Sequence, residues 1–232
     1  MKTLITLFTI LLTGLSFAQN AKQTQYGAYL QASKTMWEKS VSQSKKQYGA
    51  KSLETAIALY GVLNNTMATQ DEETFEQYED ETIDLLKAMI EENPSNGEAK
   101  AILSSVYGLV MAYSPMKGMI YGMKSSSLMT DAMDESASSP LVQRLYAGSK
   151  LYTPEMWGGD AEEAAVAFKK AIDLYAKSGD TKENWQYLDA MMGLAMAFKK
   201  TNQASQAKST LEEAIALEPQ YYWAKSELAK FQ

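Results

Sequence analysis

Histidine and cysteine are absent from the 232-residue chain, and Arg144 is its one arginine. Those absences exclude a Ser-His-Asp triad, a Cys-His nucleophile and any imidazole or thiolate metal ligand. No disulfide can form, so the fold must rest on packing. Lysine and arginine together number 22 against 28 acids, a formal charge of -6. A nucleic-acid surface needs clustered positive charge, so an acidic chain with one arginine argues against one. Alternating Val/Ile/Thr runs bounded by turns are missing, which leaves strands poorly supported. Proline is scarce, with five residues at 94, 115, 140, 154 and 219, and these fall between periodic segments rather than inside them.

The longest apolar run is at the start. Met1-Lys2 is followed by a mostly apolar stretch from Thr3 to Leu15 and then Ser16-Phe17-Ala18. Small residues at 16 and 18 suit cleavage after Ala18, and the run is shorter than the roughly 20 residues that span a bilayer. The expectation is a signal peptide over 1–18, cleaved to leave a periplasmic or secreted chain without a later membrane span. A lipoprotein would need a cysteine after the run.

The mature chain reads as all-α, with about ten helices near 22–47, 50–67, 72–92, 96–113, 115–134, 139–152, 160–177, 181–200, 204–217 and 220–231. Two starts carry capping-box chemistry: Asp160 with Glu163, and Asp180 with Glu183. Gly179 suits the left-handed turn that ends the helix before Asp180. Over 220–231, Tyr221, Tyr222, Trp223, Leu228 and Phe231 are expected on the packed side, with Lys225, Glu227 and Lys230 in water.

Helices of this length joined by short turns point to antiparallel hairpins, and a period is visible. Leu194-Ala195, Phe198, Ala207, Leu211, Ala214 and Pro219 form one unit. Ala164, Phe168 and Ala171 repeat the second-helix spacing upstream, preceded by Ala147-Gly148 and Leu151, with four residues inserted within 152–159. Leu103-Ser104 and Tyr107 carry a fainter third copy. These residues resemble the tetratricopeptide repeat (TPR), with Ala195 in place of glycine, Phe198 of tyrosine and Leu211 of phenylalanine. The resemblance covers about 95–231. It implies a TPR-like α-solenoid of stacked antiparallel helix pairs, with first helices lining a concave face and a final capping helix. The division is 1–18 signal peptide, 19–92 weakly repeat-like helices and 93–232 repeats, with 19–232 one continuous domain. On the concave face the resemblance places Asp189, Met192, Met196, Lys199 and Lys200 in one unit, and Leu145, Ser149 and Tyr152 in the preceding one. It also implies a protein or peptide partner and a non-enzymatic binding or scaffold role in the cell envelope.

Other features carry alternatives. Met111, Met116, Met119, Met123, Met129 and Met133 fall within 23 residues, and Met116, Met119, Ile120 and Met123 share a helical face. They read as hairpin core, as an adaptable apolar pocket or as a thioether copper(I) site. Tyr152, Met156 and Trp157 stand in the insertion, before Gly158-Gly159. They serve either as a partner contact, since loops on rigid scaffolds often carry binding, or as a plug on the solenoid. If the methionine face and this loop enclose a pocket, the chain is instead a small-ligand binder associated with transport. Seven acids within Asp71–Glu81 read as a solvated face able to steer a basic partner. Acid–base catalysis would need paired carboxylates at an apolar spot, and pairs such as Glu162-Glu163 and Glu212-Glu213 sit on exposed faces. No cofactor and no metal are expected. Arg144 is left as either a structural ion pair or an anion contact.

Overall fold

The computed structural model describes residues 21–231, without the side chain of Met119. The predicted signal peptide lies outside them. The described residues form helices and connections only. The helices are α1 over 21–31, α2 Lys34–Tyr48, α3 Leu53–Thr69, α4 Glu72–Glu92, α5 Gly97–Tyr113, α6 Gly118–Ser136, α7 Pro140–Tyr152, α8 Ala161–Ser178, α9 Trp185–Lys200, α10 Ala204–Leu217 and α11 Tyr222–Ala229.

Each helix from α2 to α10 packs on the next, and α3, α5, α7 and α9 also pack side by side. Antiparallel pairs therefore stack, with α3, α5, α7 and α9 forming one layer and the even-numbered helices α2 to α10 lying between them along the chain on the other side. The repeat residues explain the close approach. Ala147, Ala164, Ala171, Ala195, Ala207 and Ala214 are fully buried, and Phe168 and Leu211 fill the seams between them. Each large apolar group so buried contributes roughly 1.5–3 kcal/mol. In the faint third copy, Ser104 stands where the motif has a small residue. Its hydroxyl donates to the Ser125 carbonyl of α6 at 2.8 Å, and the Ser125 hydroxyl donates back to the Ser104 carbonyl at 2.9 Å.

The first expected helix is in fact two. Ala32 takes the left-handed conformation at φ 47°, and Ser33 restarts the chain as α2 by accepting from the Met36 N–H. No glycine or proline marks this break, so composition hid it. The start of α9 also differs from expectation. Its cap is Asn184, whose side-chain oxygen accepts from the N–H groups of Gln186 and Tyr187. Asp180 instead accepts from the Asn184 amide at 2.9 Å and pairs with Lys22 of α1. At α8 the expected cap is present: Asp160 accepts from Glu162 and Glu163 N–H, both at 2.9 Å. Glu163 does not reach back to it and pairs with Lys150 and Tyr146 instead. In α11 the buried stripe is Tyr221, Ala224 and Glu227, at three-residue spacing. Tyr222 and Trp223 therefore turn to solvent, and Glu227 is held inside by Lys199 at 3.0 Å and Lys230 at 2.5 Å.

Candidate partner-binding site

Tyr152 ends α7, and the inserted segment continues through Pro154 into a single 3-10 turn, Glu155–Trp157. Gly158 closes that turn at φ 93°, a left-handed conformation open to glycine. Gly159 packs flat against the Thr153 backbone, where an added Cβ would lie 1.8 Å from the carbonyl oxygen. The segment is clamped at its base, with the Asp160 N–H donating to the Lys150 carbonyl at 2.9 Å and Lys200 donating to the Leu151 carbonyl at 3.1 Å. On this clamped frame the side chains face water: Tyr152 is 68% exposed, Met156 83% and Trp157 74%. Trp157 is thus no plug.

The expected methionine pocket is not enclosed. Met116 is 92% exposed and Met123 79%, with Ile120 exposed between them. Met111 lies along Gly118 and Gly122, while Met129 is buried and Met133 packs at the core edge. Met116 and Met123 are therefore neither hairpin core nor the wall of a cavity. A shallow open groove of about 420 Å³ runs nearby, lined by Ile90, Leu103, Tyr107 and Leu128. The acid face on α4 is partly neutralised, with Asp71 pairing with Lys34 and Glu81 with Lys45 of α2.

The interior of the curve holds the strongest electrostatics. Arg144 of α7 is buried and donates from Nη1 to Asp189 of α9 at 2.6 Å. Its guanidinium lies 5.0 Å from the Trp185 ring and 5.7 Å from the Tyr60 ring, a double cation–π contact. Nε and Nη2 make no hydrogen bond among the described residues. Burial works against the charge, but Asp189, Tyr60 and Tyr175 outweigh it and hold the pKa above the ordinary arginine value. Tyr29 of α1 joins the cluster, donating to Asp189 at 3.1 Å and sharing a 2.6 Å contact with the Tyr221 hydroxyl. Burial is the main cause that raises the pKa of both tyrosines, and Asp189 adds to it, so both stay neutral. Tyr60, Arg144, Trp185 and Tyr221 come from α3, α7, α9 and the start of α11, up to four helix pairs apart, so they converge on the inner side of the stack. Tyr152 borders the same space. It is wetted by solvent, yet its hydroxyl pKa is raised by the surrounding protein first and then by Asp189, Tyr60 and Glu227. A ring standing in the concave opening satisfies both facts.

The remaining expected face residues divide. Met192 and Leu145 are core, Met196 and Ser149 are half-buried, and Lys199 is spent on Glu227. Met192 is buried because it lies on the side of α9 that meets Leu211 and Tyr221. Sequence reasoning missed Trp37, Tyr60, Trp185 and Tyr29. A lone arginine on an apolar helix was the available signal, since a buried guanidinium requires an acid and favours ring faces.

The fold and these contacts define a helical-repeat stack, and comparison with known proteins agrees. Residues 189–221 match the tetratricopeptide repeat family model, which covers the best unit, α9 to the start of α11. A thermophilic TPR protein of Thermus thermophilus has a similar solved structure, with TM-score 0.56 at 14% identity, over 92% of this chain and 97% of that one. A Podosopora anserina structure with nearly identical TPR-like repeats aligns at TM-score 0.41 and 17% identity, over 88% of this chain and 93% of that one. No curated protein matches the sequence. The chain is an all-α, TPR-like solenoid.

Proposed function

We propose that the chain is an exported, non-enzymatic scaffold that binds a protein partner in the cell envelope. The architecture is one that serves protein–protein interaction generally. The observation that carries the finer reading is the triad of exposed, large groups on a clamped loop: Tyr152, Met156 and Trp157. Rigid aromatic anchors in water supply contact area at low ordering cost, as interface hot spots do. The small-ligand alternative needs an enclosed apolar cavity around these groups and the methionines, and their exposure works against it. Export rests on the first eighteen residues.

A photo-crosslinking amino acid placed at Trp157 in the native host tests this. Irradiation should trap a discrete protein adduct in the periplasmic or secreted fraction, while the same probe at Glu212 on α10 should trap none. With the probe moved to Met156, Trp157→Ser should reduce capture at least tenfold without shifting Tm. Absence of any adduct at 152, 156 and 157, together with heat stabilisation by small apolar compounds, would overturn the scaffold reading.

A further inference from the structure

The outer side of α4 and α6 carries a surface that the 152–157 loop does not use. The two helices run side by side in the same direction over α5. Lys117, just before α6, reaches Glu79 of α4 at 3.5 Å. Further along, Lys87, Ile90 and Glu91 of α4 face Lys124, Ser127 and Leu128 of α6 across the shallow groove, with Leu103 and Tyr107 of α5 as its floor. The ridge on the α6 side is apolar. Met116, Ile120 and Met123 recur at helical spacing, and all three are exposed. Their exposure has a local cause. Gly118 and Gly122 turn the opposite side of α6 toward α5, where an added Cβ would lie 4.0 and 3.9 Å from the Met111 sulfur. The glycine side meets the stack, so the three large groups point away from it. Single apolar residues on a surface are ordinary, but a continuous stripe of large ones marks an interaction site.

The ridge on the α4 side is acidic. Glu76, Asp80, Asp84 and Glu91 recur along its exposed side, and they pair with no cation among the described residues; the ion pairs of α4 fall on Asp71, Glu79 and Glu81. Lys87 is the one cation on that stripe. Residues 116–130 supply the reverse, with Lys117, Lys124 and no acid. A lysine-flanked apolar ridge and a carboxylate ridge, the two halves of one contact, thus run parallel on a single face. A two-fold axis along the groove exchanges them. It keeps the direction of each helix, sets α6 of one copy over α4 of the other, and repeats the same contact on the far side of the axis. The offset that brings Glu79 to Lys117 sets Asp84 level with Gly122, half a turn before Lys124. Lys124 of each copy then stands over Asp84 of the other.

We propose that this outer face binds a second copy of the chain, forming an isologous dimer with the groove on its axis. Covering Met116, Ile120 and Met123 supplies the affinity, and methionine adapts its shape to the surface that covers it. The Lys124–Asp84 pairs set the register, since exposed ion pairs give specificity more than strength. Lys87 works against the pairing, because it too stands near Lys124 of the other copy. The contact uses no residue of the 152–157 loop. A dimer therefore carries that loop twice and holds a two-site partner more tightly than one chain does.

Sedimentation velocity on the full mature chain should show a monomer–dimer equilibrium. Met123→Ser should weaken the dimer at least tenfold, and Lys87→Glu should tighten it. Lys124→Glu and Asp84→Lys should each be monomeric at concentrations where the native chain is dimeric. Mixing those two variants should restore a dimer, and native mass spectrometry should identify it as the heterodimer. In that mixture alone, both halves of the contact set a lysine against an acid. Every substituted side chain is exposed, and far-UV circular dichroism checks that each variant keeps its fold. Where one charge variant unfolds, Met123→Ser and Lys87→Glu still decide. A chain that stays monomeric to its solubility limit, a dimer indifferent to Met123→Ser or loosened by Lys87→Glu, or a mixture of folded charge variants without heterodimer overturns the proposal. Crosslinking of a different protein from Trp157 reads a separate surface, so the two readings fail separately.

Discussion

Asp189 serves two donors at once, the Arg144 guanidinium and the Tyr29 hydroxyl, and this double duty makes it the most sensitive polar side chain in the stack. Removing one partner of a buried ion pair strands the other's charge, at a cost of about 3–5 kcal/mol. Asp189→Leu should therefore lower the urea midpoint by an amount equivalent to about 3–5 kcal/mol. Arg144→Met/Asp189→Leu should recover most of that loss, because no charge is then left inside; a double-mutant cycle by circular dichroism measures the coupling. Equal midpoints for the single and double variants would show that the pair is not what Asp189 supports. At this scale the sequence was partly legible. Arg144 stood out as the lone guanidinium, but the identity of its acid, 45 positions away, depends on how α7 and α9 stack. The rings that sandwich it, Tyr60 and Trp185, belong to separate repeats, and only tertiary packing brings them together.

Among the elements, legibility followed the strength of local chemistry. Boundaries of α4 and α10 coincide with the expected ones because sequence punctuation is strong there. Asp71 caps α4 by accepting from the Thr74 N–H at 3.0 Å, and Pro219 follows α10 closely. The Ala32 break was hidden because no glycine or proline marks it, and the Asn184 cap because Asp180 nearby offered an equally good local signal. Two glycines make the same point about packing. An added Cβ at Gly193 of α9 would lie 2.2 Å from the Phe168 ring, whereas at Gly148 of α7 it would meet nothing within 4 Å. Gly193→Ala should destabilise by about 1–3 kcal/mol through overpacking. Gly148→Ala should stabilise by up to about 1 kcal/mol through helix propensity; thermal melts of the two variants should shift in opposite directions. Helix α11 depends on a charge. Burial opposes ionisation of Glu227, but Lys230 and Lys199 outweigh it and hold its pKa below the ordinary carboxylate value. A depressed folded pKa contributes stability that is present above the ordinary carboxylate pKa of about 4.3 and is lost as pH falls through the folded value. Glu227→Gln should thus lower Tm at pH 7 and lose most of that difference at pH 3.

At the scale of the molecule, a repeat stack joins neighbour to neighbour and can unfold piecemeal. Here α1 bridges the first pair and the last, and Trp37 of α2 packs edge-on to Trp185 of α9 at 5.2 Å. That bridge should make unfolding cooperative. Tryptophan fluorescence and far-UV circular dichroism should report coincident urea transitions in the native chain, and Tyr29→Ala should separate them. The stack itself was legible from the Ala-Phe-Ala spacing. Its closure was not, because α1 carries no repeat signature and its partners lie more than 150 residues away in the chain.

That closure also orders events in time. Synthesis runs from the N-terminus at about 5–20 residues per second, so α1 precedes its α9 partners by roughly 8–30 seconds. Bringing ends so distant together costs about 4–5 kcal/mol of chain entropy, which no local helix formation recovers. Helix α1 is thus made well before the surface it covers, and its contacts to Trp185, Asp189 and Tyr221 can form only after α9 and the start of α11 have been made.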